Sequence, residues 1–212
     1  MVVTWRSVTL ETAKRAVQAY NNGTYGCLKN PDLDNQAREM FADGLGVTPG
    51  KVLRQVKFIG DDYGGVAGFP SAIVLAEGIA DDVVRNRTEY EKAAYTALPV
   101  LSQLPSRATI EVLYRPFMKS LGAKRNWQVW AAKFWHFLNH DAFPIEDSRV
   151  DKFFSLNQPN SVEKYMTFLS KFREFALSHQ EWLPSLREVD GGLAWCDNKL
   201  WDKVYYGLSE LR

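Results

Sequence analysis

Apolar residues in this chain recur three and four positions apart, and the runs that carry them are cut by glycine, proline and asparagine. No run alternates apolar and β-branched residues for long enough to demand a sheet. The pattern therefore predicts an all-α protein. Thr9 opens a first helix, with Leu10, Ala13, Val17 and Tyr20 at helical spacing and Asn21-Asn22-Gly23 as its stop. Asp34 starts a second that runs through Leu45 to Gly46, and Pro49 a third that reaches about Phe58. Four glycines and two aspartates in Gly60–Gly68 predict a loop. Helices follow over Ser71–Asn86 and Glu89–Leu104. In the second half, Ala108–Leu121 is helical, with a kink or break expected at Pro116. Gly122–Asn126 is a turn, Trp127–Asn139 a strongly apolar helix, and His140–Ile145 an extended connector containing Pro144. Asp147 starts a helix to about Leu156. Ser161 begins a long one, Val162 to about His179. Glu188–Leu200 holds a Gly-Gly break, and Trp201–Leu211 closes the chain.

At 212 residues the chain has the size of a single compact domain, 1–212. A boundary near Ser106 would divide it into lobes 1–106 and 107–212 around a cleft. With no Pro/Ser-rich linker there, that boundary marks a change of lobe and not a tether. Apolar residues at 46% and charged residues at 24% exclude wholesale disorder. The longest apolar runs are too short to span a bilayer. Met1–Arg6 has no basic region followed by an apolar stretch, so no signal peptide is expected. Cys27 and Cys196 fit no zinc spacing and read as unpaired thiols of a cytoplasmic protein.

The formal net charge of +1 hides an uneven distribution. Residues 1–106 carry 11 Lys/Arg against 12 Asp/Glu, and residues 107–212 carry 15 against 13. Val112–His140 contains Arg115, Lys119, Lys124, Arg125 and Lys133 and no acid. Such a stripe can bind a polyanion even on a nearly neutral chain. On charge alone it reads as a solvated helix face.

The segment richest in chemistry runs from Trp130 to Phe153. An apolar helix leads into the turn Phe143-Pro144-Ile145, which is stiff because proline fixes its own φ and restricts the residue before it. Asp147 then lies at the start of a helix, where a carboxylate accepts backbone N–H groups and is stabilised by the helix dipole. By itself this describes an ordinary N-cap. His136 and His140, spaced i, i+4 near Asp141 and Glu146, make a metal site conceivable. The helix ends at His140, however, and a core or capping role is the stronger reading.

Phe143-Pro144-Ile145-x-Asp147-x-x-Val150, with Lys152 soon after, resembles the catalytic segment of the helix-hairpin-helix (HhH-GPD) DNA glycosylase superfamily, which includes endonuclease III and adenine glycosylases. The resemblance covers roughly Lys119 to Phe153. It implies an all-α fold of two helical lobes flanking a cleft, with a hairpin that grips double-stranded DNA. It makes Asp147 the catalytic carboxylate and Lys133 the candidate for the lysine that lyase-capable members carry. Phosphate contacts would fall to Arg115, Lys119, Lys124, Arg125 and Arg149, and the walls of a base pocket to Trp127 and Trp130. Gly122–Asn126 has one glycine where the family hairpin has a Gly-x-Gly turn, so the hairpin is degenerate. Lys133 precedes Asp147 by 14 residues, about one helical turn closer than in the family.

The implied activity is hydrolysis of the N-glycosidic bond of a damaged or modified base after base flipping, by a monofunctional enzyme without metal or other cofactor and without an obligatory protein partner. A bulky modified base in foreign (phage) DNA would suit a divergent member. Base excision in DNA repair or antiviral defence is the matching role. The alternative is a catalytically inactive glycosylase-like protein that binds DNA or another partner.

Overall fold

The computed structural model describes residues 5, 7–22, 31–62, 72–121 and 127–210. Its regular elements are α1 (Leu10–Asn21), α2 (Pro31–Phe41), α3 (Pro49–Lys57), α4 (Ala72–Arg85), α5 (Arg87–Tyr95), α6 (Arg107–Leu121), α7 (Trp127–Leu138), α8 (Ser148–Phe154), α9 (Val162–Ser178), α10 (Leu183–Asp190) and α11 (Asp197–Glu210). A π-helical turn, Phe58–Asp62, extends α3, and a 3-10 turn, Gln180–Trp182, leads into α10. No strand occurs among the described residues, and no helix among them is long and apolar enough to cross a membrane.

The caps read from the sequence set the starts of α1, α8 and α9. Thr9 accepts from the Thr12 N–H while the Thr9 N–H donates to the Thr12 side chain, a reciprocal capping box. Ser161 accepts from the Lys164 N–H at 3.1 Å. Other boundaries move because distant side chains take the carbonyls that would have continued a helix. The α2 helix ends at Phe41, short of Leu45, where Gln55 donates to the carbonyls of Met40 (3.1 Å) and Gly44 (2.8 Å). The α5 helix ends at Tyr95, short of Leu104, where Asn139 donates to the carbonyls of Ala94 (2.8 Å) and Ala97 (3.1 Å). At the other end of the chain, α11 begins four residues before the expected Trp201, because the Cys196 sulfur accepts the Lys199 N–H at 3.3 Å. The expected Gly60–Gly68 loop overlaps the π-helical turn over Gly60–Asp62; its remainder lies outside the described residues.

Pro116 sits inside an unbroken α6, against the expected kink or break. Its ring is buried, and α6 packs on α4, α5, α7 and α9. The Leu113 carbonyl, in the turn that the proline disturbs, takes the Trp135 indole N–H at 2.7 Å. That carbonyl is next to the one, of Val112, which the missing Pro116 N–H leaves without its helical donor.

The helices pack in two groups. In one, α1 lies on α11 and α10, and α11 on α8. In the other, α3 lies on α4, and α6 on α4, α5 and α7. The boundary anticipated near Ser106 falls between α5 and α6, which pack on each other, and α1 joins the C-terminal helices. The close α1–α11 crossing needs Gly207: a Cβ there would lie 2.4 Å from the Ala16 carbonyl oxygen. Tyr205 centres an aromatic core in this group, with Phe153, Phe154, Phe172 and Phe175 at ring distances of 5.2, 5.0, 5.5 and 5.4 Å. Each such pair adds about 0.5–1.5 kcal/mol beyond its burial.

Candidate active site

The connector from Phe143 to Asp147 is fixed by side chains from two helices, α7 and α9. His136 of α7 hydrogen-bonds the Phe143 carbonyl through Nδ1 at 2.8 Å. A carbonyl only accepts, so Nδ1 is the protonated nitrogen of a neutral ring. Tyr165 of α9 donates its hydroxyl to the Pro144 carbonyl at 2.9 Å. Glu146, 1% exposed, accepts from Gln128 of α7 and pairs with Lys164 of α9 at 3.2 Å. Lys164 also holds Asp151 at 2.6 Å, and Gln128 accepts the Ser161 N–H at 2.8 Å. Burial and the neighbouring Asp151 push the Glu146 carboxyl above the usual carboxylate range, against the pull of Lys164.

Asp147 follows as the N-cap of α8, with extended backbone (φ −142°, ψ 177°). It is half-buried. Its Oδ1 accepts the N–H groups of Arg149 (2.8 Å) and Val150 (3.0 Å), so neither cap bond falls on Oδ2. Lys133 of α7 is buried, at 8% exposed. Burial holds its ammonium below the usual lysine range, and the charge that most opposes this is Asp147. The sequence's catalytic pair therefore lies within one electrostatic neighbourhood. Arg149 stacks its guanidinium 4.3 Å from the Tyr206 ring centroid, and Tyr206 packs edge-on against Tyr20.

A buried charged cluster adjoins this pair, and the sequence reading missed it. Lys199 of α11 pairs with Asp202 at 2.8 Å and with Asp34 of α2 at 3.2 Å, and donates to the Tyr20 hydroxyl at 3.0 Å. Lys203 pairs with Asp190 at 2.5 Å and donates to Asn21 at 3.0 Å. Burial raises the Asp202 carboxyl, Lys199 offsets this, and Asp147 adds to it. The available signal was the polar triple Lys199, Asp202 and Lys203 set among the apolar residues of α11. A helix starting at Trp201, as the pattern predicts, leaves Lys199 outside it.

The other expected site residues divide. Arg115 makes two bonds to Glu89, at 2.9 and 2.8 Å, and Lys119 lies 3.5 Å from Asp82. The stripe that is acid-free along the sequence is thus matched in space by carboxylates from α5 and α4. Lys124 and Arg125 lie outside the described residues, as does the Gly122–Asn126 turn. Trp130, expected as a pocket wall, is fully buried: its indole N–H donates to the Val56 carbonyl at 3.0 Å and its ring lies against Gly60. Trp127 is 2% exposed and packs edge-on against Tyr114. It lines, with Arg115, Met118 and Lys119, a groove of about 500 Å³ that does not include Asp147. His136 is fully buried, its ring 6.4 Å from that of His140.

Comparison of the chain with protein-family models, with curated proteins and with solved structures finds no match.

The connector's anchor carries a pH dependence. Burial pushes the His136 imidazole down to about 3, against about 6.5 in an unfolded chain. A depressed folded value means that this contribution is complete above about pH 6.5 and is lost as pH falls toward 3. Between pH 7 and pH 5 the loss is about 2 kcal/mol. Denaturation midpoints of wild type and His136→Gln, measured across that window, are expected to show a shallower acid slope in the variant. Equal slopes would mean that His136 titrates alike in the folded and unfolded chain.

Proposed function

We propose that this chain is a monofunctional DNA glycosylase that hydrolyses the N-glycosidic bond of a modified base flipped from double-stranded DNA. The observation that carries the reading is the fixed carboxylate of Asp147, at the end of an anchored connector and in the field of buried Lys133. Breaking a base from deoxyribose builds positive charge on the sugar. A carboxylate already held in place stabilises that charge without reorganising, and the oxygen that carries no cap bond is the one to orient the attacking water. In this reading the two helix groups flank the cleft, with the Lys199 cluster at their junction, and the base leaves the stack to enter it.

Lys133 is a buried neighbour of Asp147 and not a covalent nucleophile, since its buried amine has no open approach to the sugar. Arg149 is the described basic residue next to Asp147 and the candidate phosphate contact. A bulky modified base in foreign DNA fits a divergent enzyme of this kind. The second reading, a glycosylase-like DNA-binding protein without chemistry, draws on the two cap bonds of Asp147, which give that residue a structural purpose of its own.

Product analysis separates the two. Duplexes carrying a panel of modified bases, incubated with the protein, are expected to yield free base and an unbroken strand with an abasic site. Chelator should not reduce the yield, and borohydride should trap no protein–DNA adduct. Salt-sensitive DNA binding with no free base from any duplex would favour the second reading. A trapped adduct would make Lys133 or another amine a nucleophile.

A further inference from the structure

The turn after α7 and the residue just before α11 bring together a second cluster, which the glycosylase reading does not use. His140, Asp141 and Cys196 each offer one ligand atom, and the three atoms lie within 4.8 Å of one another. His140 Nε2 is 3.7 Å from Asp141 Oδ1. Atoms bound tetrahedrally to one zinc ion, at about 2.0–2.3 Å, lie roughly 3.3–3.8 Å apart. For a nitrogen and an oxygen the value is about 3.3–3.5 Å, so the His140–Asp141 pair at 3.7 Å lies a few tenths of an ångström outside it. These two side chains, which must turn to close the remaining gap to the sulfur, are 41% and 55% exposed.

The backbone carrying the three groups is locked. Asn198, 3% exposed, donates through Nδ2 to the carbonyls of His140 (2.8 Å) and Asp141 (2.9 Å). It lies two residues beyond Cys196, so one side chain ties the turn to the helix start that bears the thiol. The Asp141 carbonyl also accepts the Val100 N–H at 2.7 Å. A site held in this way loses little freedom when an ion binds.

We propose that His140, Asp141 and Cys196 form a binding site for a borderline transition-metal dication such as zinc. Imidazole, carboxylate and thiolate together suit zinc or cobalt, whereas magnesium and calcium take oxygen shells. Two anionic ligands and a neutral imidazole balance the charge of the ion. The exposure of His140 and Asp141 leaves a fourth position for water. Burial pushes the metal-free Cys196 thiol up to about 12. Binding therefore releases its proton to solvent and tightens as pH rises. An ion here would clamp the turn after α7 to α11, whether or not Asp147 is catalytic.

The test is titration of the reduced, chelator-treated full chain with cobalt(II). The expected result is saturation at one ion per chain, with a near-ultraviolet thiolate-to-cobalt band that zinc abolishes. Cys196→Ser should remove the band, and serine, a good N-cap, keeps the start of α11. His140→Ala, at an exposed position, should weaken binding at least about tenfold. Cys27→Ser should leave the band unchanged. No band at millimolar cobalt in the wild type, or a band that survives Cys196→Ser, would overturn the proposal.

Discussion

Lys199→Met is expected to destabilise the fold by about 3–5 kcal/mol, the cost of removing one partner from a buried ion cluster. Lys199 is 1% exposed, as is Asp34, and Asp202 is 5% exposed. Its ammonium lies between the two carboxylates, at 3.2 and 2.8 Å. Methionine fills the volume and leaves both acids without that cation. For a chain of this size the loss corresponds to a fall of roughly 6–20 °C in melting temperature. Asp202, already raised by burial, would rise further without Lys199. A group with a raised folded value stabilises at low pH and loses that contribution as pH rises. The deficit of Lys199→Met should therefore narrow on acidification. Adding Asp34→Asn and Asp202→Asn should recover most of the loss. Thermal melts of these variants across pH are the measurement, and a shift of under about 2 °C for Lys199→Met would show that the cluster does not hold α2 to α11.

The elements legible in the sequence are those whose signals are local. Thr9, Asp147 and Ser161 are capping side chains standing next to periodic apolar runs, and each opens its helix where the pattern put it. Elements whose ends depend on distant groups are not legible there. Nothing near Leu45 announces that Gln55 will take the Met40 and Gly44 carbonyls, and nothing near Leu104 announces Asn139. Pro116 is a similar case: its ring is buried in the packing of α6 on its neighbours, which the local sequence does not announce.

The candidate site follows the same rule. Asp147 was legible because a proline-stiffened approach and a helix start adjoin it in sequence. The Lys199 cluster was not, because Asp34 and Lys199 come from opposite ends of the chain and meet only through the packing of α1, α2 and α11. The basic stripe is the converse case. Counting charges along Val112–His140 finds no acid, yet Glu89 and Asp82 reach Arg115 and Lys119 across the helix packing. Trp130 looked like a wall because aromatic residues crowd α7. That helix is buried nearly all round, so its aromatics fill the core.

Asp147→Asn is the substitution with the largest expected effect on activity. Asparagine caps a helix about as well as aspartate, so the bonds to Arg149 and Val150 are kept and the melting temperature should move by less than about 5 °C. The negative charge is lost, and with it the stabilisation of the sugar cation. Removal of one preorganised electrostatic group costs about 10²–10³ in rate. Asp147→Ala loses both cap and charge, so it should match that fall in rate and add about 1 kcal/mol of destabilisation. The decisive measurement is single-turnover release of free base by wild type and Asp147→Asn, at saturating protein on one duplex that the wild type cleaves. A fall of at least about 100-fold with DNA affinity retained is the expected result; equal rates would place the chemistry somewhere other than Asp147.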